Sequence, residues 1–123
     1  MNNWFVFLLM IFLHIIDDYT LQGWLASAKQ KKYWTENVPQ EIYKYDYICA
    51  LLVHSFSWAF MIMLPIAFIK SFNIDLLFVL FLIDNMLIHA YVDNEKANKF
   101  TINLWQDQII HFIQIIFTFI FLI

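Results

Sequence analysis

The chain has 123 residues, enough for one domain and too few for two. Its hydrophobic fraction is 63% and its charged fraction 14%, far from the soluble norm of roughly half apolar and a quarter charged, so water is not its main solvent. Seven lysines without arginine, set against ten acidic residues, give a net charge of -3 and leave no basic surface for a nucleic-acid backbone; Cys49, alone, forms neither an intramolecular disulfide nor a thiolate zinc cage.

A helix crosses the hydrocarbon with about 20 apolar residues at 1.5 Å rise each. Four segments reach that length and predict an all-α polytopic membrane protein, a single four-helix domain over 1–123. The first helix, 4–26, is apolar from Trp4 through Ile16 and continues past Asp17 and Asp18, because nothing before Gly23 breaks it. Ala26-Ser27-Ala28 imitates a signal-peptidase site, but the start lacks a basic n-region and two aspartates interrupt the approach, so this helix is expected to stay in the protein. The second helix covers 47–69, with Pro65 in its last turns, where neighbouring helices can satisfy the freed carbonyl. The third covers 74–93 and the fourth 102–123. One real loop, Lys29 to Asp46, and two tight connections remain, which predicts antiparallel neighbours in an up-down-up-down bundle.

The lysines set the expected orientation. Lys29, Lys31, Lys32 and Lys44 fall in the first loop, Lys96 and Lys99 in the third, and only Lys70 in the second. By the positive-inside rule, loops one and three are cytoplasmic and both termini lie outside, in a bacterial inner membrane. Trp24, Tyr43, Tyr45, Tyr47, Tyr91 and Trp105 fall at the same helix ends, where amphipathic rings favour the headgroup region.

Within this frame the polar residues are concentrated. All four histidines lie in or at the ends of the spans, and three have an aspartate four residues away: His14 with Asp18, His89 with Asp93, and His111 with Asp107. Spacing of i,i+4 places both side chains on one helical face, the geometry by which one helix supplies two metal ligands and facing helices supply more. His54 adds a fourth histidine. With antiparallel helices, these residues fall at one depth within about two turns. Each pair alone would be a hydrogen-bonded carboxylate and imidazole; their convergence points to a functional site, since ionisable groups in membrane helices are costly. Ser55 and Asn85 read as interhelical hydrogen-bonding residues. Asp84 points elsewhere, about 140° around the helix from His89, and serves an oligomer contact or stays protonated.

The motifs His14-Ile-Ile-Asp-Asp18 with Gln22 and the lysines after it, His54, His89-Ala-Tyr-Val-Asp93 with Lys96, and Asp107-Gln108-Ile-Ile-His111 run nearly the length of the chain. In their order and spacing the chain resembles the small bacterial and phage membrane proteins known as domain of unknown function 3307. This sequence departs in having Asp17 beside Asp18. The resemblance implies a polytopic membrane protein with a shared polar site and carries no activity.

Imidazole and carboxylate donors suit zinc first, then manganese or iron. The residues predict a metal-dependent hydrolase acting on a lipid or lipid-linked substrate at the cytoplasmic leaflet. His14, His54, His89, Asp93 and His111 would be ligands of one or two ions, Asp18 or Asp107 the base, and Lys96 the partner of an anionic substrate group, with Gln22 and Gln108 orienting the ligands. A different class also fits: a non-catalytic membrane protein, homo-oligomeric or bound to another membrane protein, whose cluster only fixes the bundle.

Overall fold

A computed structural model describes residues 1–123. The chain is all helical: α1 (Asn3–Ile16), α2 (Leu25–Ala28), α3 (Lys31–Asn37), α4 (Asp46–Ile69), α5 (Leu76–Asn94) and α6 (Leu104–Leu122), with π-helical turns at Asp17–Leu21 and Glu95–Lys99. Four stretches, Asn3–Leu21, Glu41–Ile69, Leu76–Lys99 and Leu104–Leu122, are long and apolar enough to span a membrane.

The helices start where their caps place them. Asn2 accepts the N–H of Trp4, Asp75 that of Phe78, and Asn103 forms a reciprocal capping box with Gln106. The bond from Phe78, with Lys70 3.6 Å away, holds the Asp75 carboxyl below the usual carboxylate range. Pro65 is carried inside an unbroken α4.

Two boundaries depart from the sequence reading. The first helix, expected to reach residue 26, ends as a π turn at Leu21 and reverses at Gly23, whose φ of 52° lies in the left-handed region that favours glycine. The expected loop from Lys29 to Asp46 carries α3 and a 3-10 turn at Glu41–Tyr43, while the third helix winds on through its π turn past 93.

α4 packs against both α1 and α5, and α6 packs against α5, α1 and α4. The solvation pattern is the reverse of a soluble domain. Phe5, Leu8, Phe12, Phe56, Phe60, Leu80, Phe117 and Ile120 face outward, whereas thirteen of the 29 buried residues are polar or charged. The interior divides in two. Val6, Met10, Ile62, Met63, Ile66, Phe78, Ile115 and Leu122 fill an apolar half, and the histidines and aspartates fill the other.

The reversal at Gly23 brings the chain after α1 back onto the polar half. A Cβ at Gly23 would meet nothing closer than the Leu21 carbonyl at 4.0 Å, so only backbone strain opposes a side chain there. Gly23→Ala is expected to cost about 1 kcal/mol, measured by unfolding in mixed micelles.

Candidate metal centre

Four elements supply the polar half. Asp18 comes from the π turn after α1, His54 from α4, His89 and Asp93 from α5, and Asp107 and His111 from α6; all six are buried. The π turns at Asp17–Leu21 and Glu95–Lys99 both border this cluster. Such turns inside helices often accompany functional sites.

Four side-chain atoms form a compact group. His54 Nε2 lies 3.3 Å from Asp18 Oδ1 and 3.3 Å from Asp93 Oδ2. His89 Nε2 lies 3.7 Å from each of the same oxygens, and the two Nε2 atoms are 3.1 Å apart. A tetrahedral ion with bonds of about 2.0 Å holds its ligands roughly 3.3 Å apart, so the spacings among Asp18, His54 and His89 are near those around one zinc-sized ion. A looser group adjoins it through Asp93 Oδ1, 4.0 Å from His111 Nε2, which is itself 3.2 Å from Asp107 Oδ1. Ligand atoms of His89, Asp93 and His111, and of Asp18, Asp107 and His111, lie within 4.8 Å of one another.

The hydrogen bonds around His111 fix which of its nitrogens carries the proton. Gln114 donates its amide N–H groups to the carbonyl and Oδ1 of Asn85, both at 3.2 Å, so its Oε1 is the atom facing His111 Nδ1 at 3.1 Å. That oxygen only accepts, so Nδ1 carries hydrogen and Nε2 of the neutral ring presents a lone pair. This lone pair, Asp93 Oδ1 and Asp107 Oδ1 are all buried without a hydrogen-bond partner. Electron pairs gathered this way are costly unless a proton or a metal cation lies among them. The charges agree. With neutral imidazoles, four buried carboxylates (Asp17, Asp18, Asp93, Asp107) face two ammonium groups, Lys29 and Lys96, which leaves two negative charges, the complement of one divalent ion.

The expected residues do not all occupy the expected places. His14 stands beside the cluster: its Nδ1 accepts the indole N–H of Trp58 at 2.7 Å, which leaves Nε2 to donate to Gln108 Oε1 at 3.0 Å. Both nitrogens are spent, so His14 offers no free ligand atom. The helix widens into a π turn immediately after His14, and its i,i+4 partner Asp18 turns to His54 instead. Gln108 donates to Asp18 Oδ2 at 3.1 Å and Asp107 Oδ2 at 2.9 Å, linking two carboxylates to His14. Lys96, expected to meet substrate, pairs with Asp107 at 3.0 Å. Gln22 accepts from Lys29 at 3.1 Å and donates to the backbone carbonyl of Asp18, so it braces a ligand's main chain and no ligand side chain. Asn85 bonds Thr118 across helices at 2.8 Å as expected, whereas the buried Ser55 hydroxyl finds no partner.

Two contributors, Lys29 and Trp58, escaped the sequence reading, and the choice between Asp17 and Asp18 was left to the fold. Lys29, read as a loop lysine, is buried and pairs with Asp93 at 2.8 Å. Trp58 is fully buried and stacks on His89, which stacks on His111, with ring centroids 4.2 and 4.1 Å apart. Its position one turn after His54 was the available signal. Asp17 accepts the Ser57 hydroxyl at 2.6 Å, so Asp18 is the carboxylate of that pair that faces the histidines.

Compared with family models, curated proteins and solved structures, the chain matches none.

Removing one partner of a buried ion pair leaves an uncompensated charge. Lys29→Met is therefore expected to lower stability by about 3–5 kcal/mol, and the Lys29→Met/Asp93→Asn double variant to lose less than the sum of the single variants. A double-mutant cycle of unfolding in mixed micelles checks this.

Proposed function

We propose that the chain is a membrane-embedded, metal-dependent hydrolase acting on a lipid or lipid-linked substrate. The observation that carries the reading is the set of inward-facing donors, more numerous than one ion requires. Asp18, His54, His89 and Asp93 are assigned as ligands, and zinc suits their donor set and spacing. When bound, the metal supplies a water acidified toward neutral pH. Asp107 and His111 remain beside the ligand group as the pair that would accept a proton there. Lys96 and Gln108 hold Asp107 Oδ2, which leaves Oδ1 turned to the site.

A lateral route supports the choice of substrate. An open groove of about 450 Å³ lies between α1 and α6, lined by Ile15, Tyr19, Leu104, Trp105 and Phe112, with His14 and Gln108 at its polar end. An acyl chain fits such apolar walls, and Gln108 is the link from this groove to Asp18 and Asp107. The convergence of late α1, early α4, late α5 and early α6 supports the up-down-up-down order, and the lysine distribution supports a cytoplasmic site with both termini outside a bacterial inner membrane.

Complete burial of the six side chains favours the second reading, in which the metal or hydrogen-bonded cluster only fixes the bundle and the protein acts by binding another membrane protein. The two readings separate on one variant. Asp107→Asn is expected to keep bound metal, measured by mass spectrometry, while hydrolysis in a screen of phospholipids and lipid phosphates falls at least about 100-fold. His89→Ala is expected to lose both metal and activity. A purified, metal-loaded protein with no activity across that screen would favour the structural reading.

A further inference from the structure

Asp84 lies outside the cluster and poses a separate problem. It sits eight residues into α5, about 12 Å along the axis, and so near the middle of a hydrocarbon layer of roughly 30 Å when the span is embedded. Its side chain faces outward and makes no hydrogen bond or ion pair. A charge in that position is costly and marks a site whose partner must be named.

The chain itself supplies no partner. Behind Asp84, Asn85 and Gln114 spend their amide groups on each other, on Thr118 and on His111. Lys29 and Lys96 are paired at the cluster, and Lys31, Lys32, Lys44, Lys70 and Lys99 lie in the connections between the spans or in the π turn closing the third. A second copy brings no cation to this depth either, and twofold pairing through this face would set carboxylate against carboxylate. In front of Asp84, α5 and α6 leave a groove of about 490 Å³ walled by Phe81, Ile88, Ile113, Phe117 and Phe121. Aromatic faces beside a carboxylate suit a cationic side chain, most of all a guanidinium.

We propose that this groove receives a membrane-spanning helix of another protein that carries a lysine or arginine at mid-depth, with Asp84 as its counter-charge. The proposal rests on the membrane-spanning reading and is independent of the hydrolase. Apolar ridges on Phe117 and Phe121 supply packing, and the buried charge pair supplies selectivity, since a helix without a cation leaves Asp84 unpaired.

The test uses synthetic leucine-rich transmembrane peptides with one central arginine, one central lysine or none, donor-labelled, in phosphatidylcholine vesicles. The full chain carries the acceptor on its single, exposed Cys49. Flotation reports membrane insertion first, and a chain that does not float with the vesicles removes the spanning reading and this proposal with it. Saturable energy transfer is expected for the cationic peptides, weakened about tenfold by Asp84→Asn with helical content intact, and equally weak for the peptide without a cation. Equal transfer from all peptides, or transfer unchanged in Asp84→Asn, would overturn it. So would self-association of two differently labelled copies that Asp84→Asn abolishes, which would make the occupant a second copy.

Discussion

Burying a carboxylate in a low-dielectric interior costs several kcal/mol unless cations and hydrogen bonds replace water. Asp17, Asp18, Asp93 and Asp107 face that demand together at one end of a helical bundle whose exterior is apolar. The local architecture follows from this constraint. The reversal at Gly23 returns Lys29 to Asp93, the turn after α5 carries Lys96 to Asp107, and Gln108 spans Asp18 and Asp107. Two ammonium groups do not balance four carboxylates, and the unpartnered Nε2 of His111 faces the same deficit. A divalent ion would offset the charge, and a proton held between His111 and Asp107 would satisfy Nε2.

The aromatic residues give the cluster its rigidity. Trp58 fixes His14 through its indole N–H and stacks on His89, which stacks on His111. Ligands held this way lose little freedom when an ion arrives, so preorganisation favours binding. Farther from the cluster, the interior changes character to Met10, Ile62, Ile66, Ile115 and Leu122, joined to it by Trp58 and by the hydrogen-bonded Asn85, Gln114 and Thr118. The carboxylates and imidazoles of the cluster stay at one end of the bundle, and the groups leading on from it are amides and a hydroxyl.

Much of this was legible because hydrophobic length and i,i+4 spacing act locally. The four helices long and apolar enough to span a membrane followed from runs of apolar residues, and the pairs His89 with Asp93 and His111 with Asp107 kept the helical spacing that predicted them. His14 did not, because a π turn begins at Asp17 and breaks the 3.6-residue period on which the pairing was argued. Lys29 was misread for another reason. A lysine after a span reads as a topological signal, and only the tertiary reversal at Gly23 reveals it as the counter-ion of Asp93, 64 residues away. Trp58 lies one turn after His54, but a sequence does not say which face of α4 meets the histidines. The outward direction of Asp84, by contrast, was fixed by its angle from His89 within one regular helix.

X-ray absorption at the zinc edge, on purified protein loaded with one equivalent of zinc, tests the central claim most directly. The account predicts a shell of about four nitrogen and oxygen ligands near 2.0 Å, with imidazole scattering from two histidines and no sulfur. That shell should be lost in the His54→Ala/His89→Ala variant. A six-coordinate, water-dominated shell unchanged by that variant, or failure to retain zinc at all, would contradict the metal site and leave a hydrogen-bonded cluster in its place.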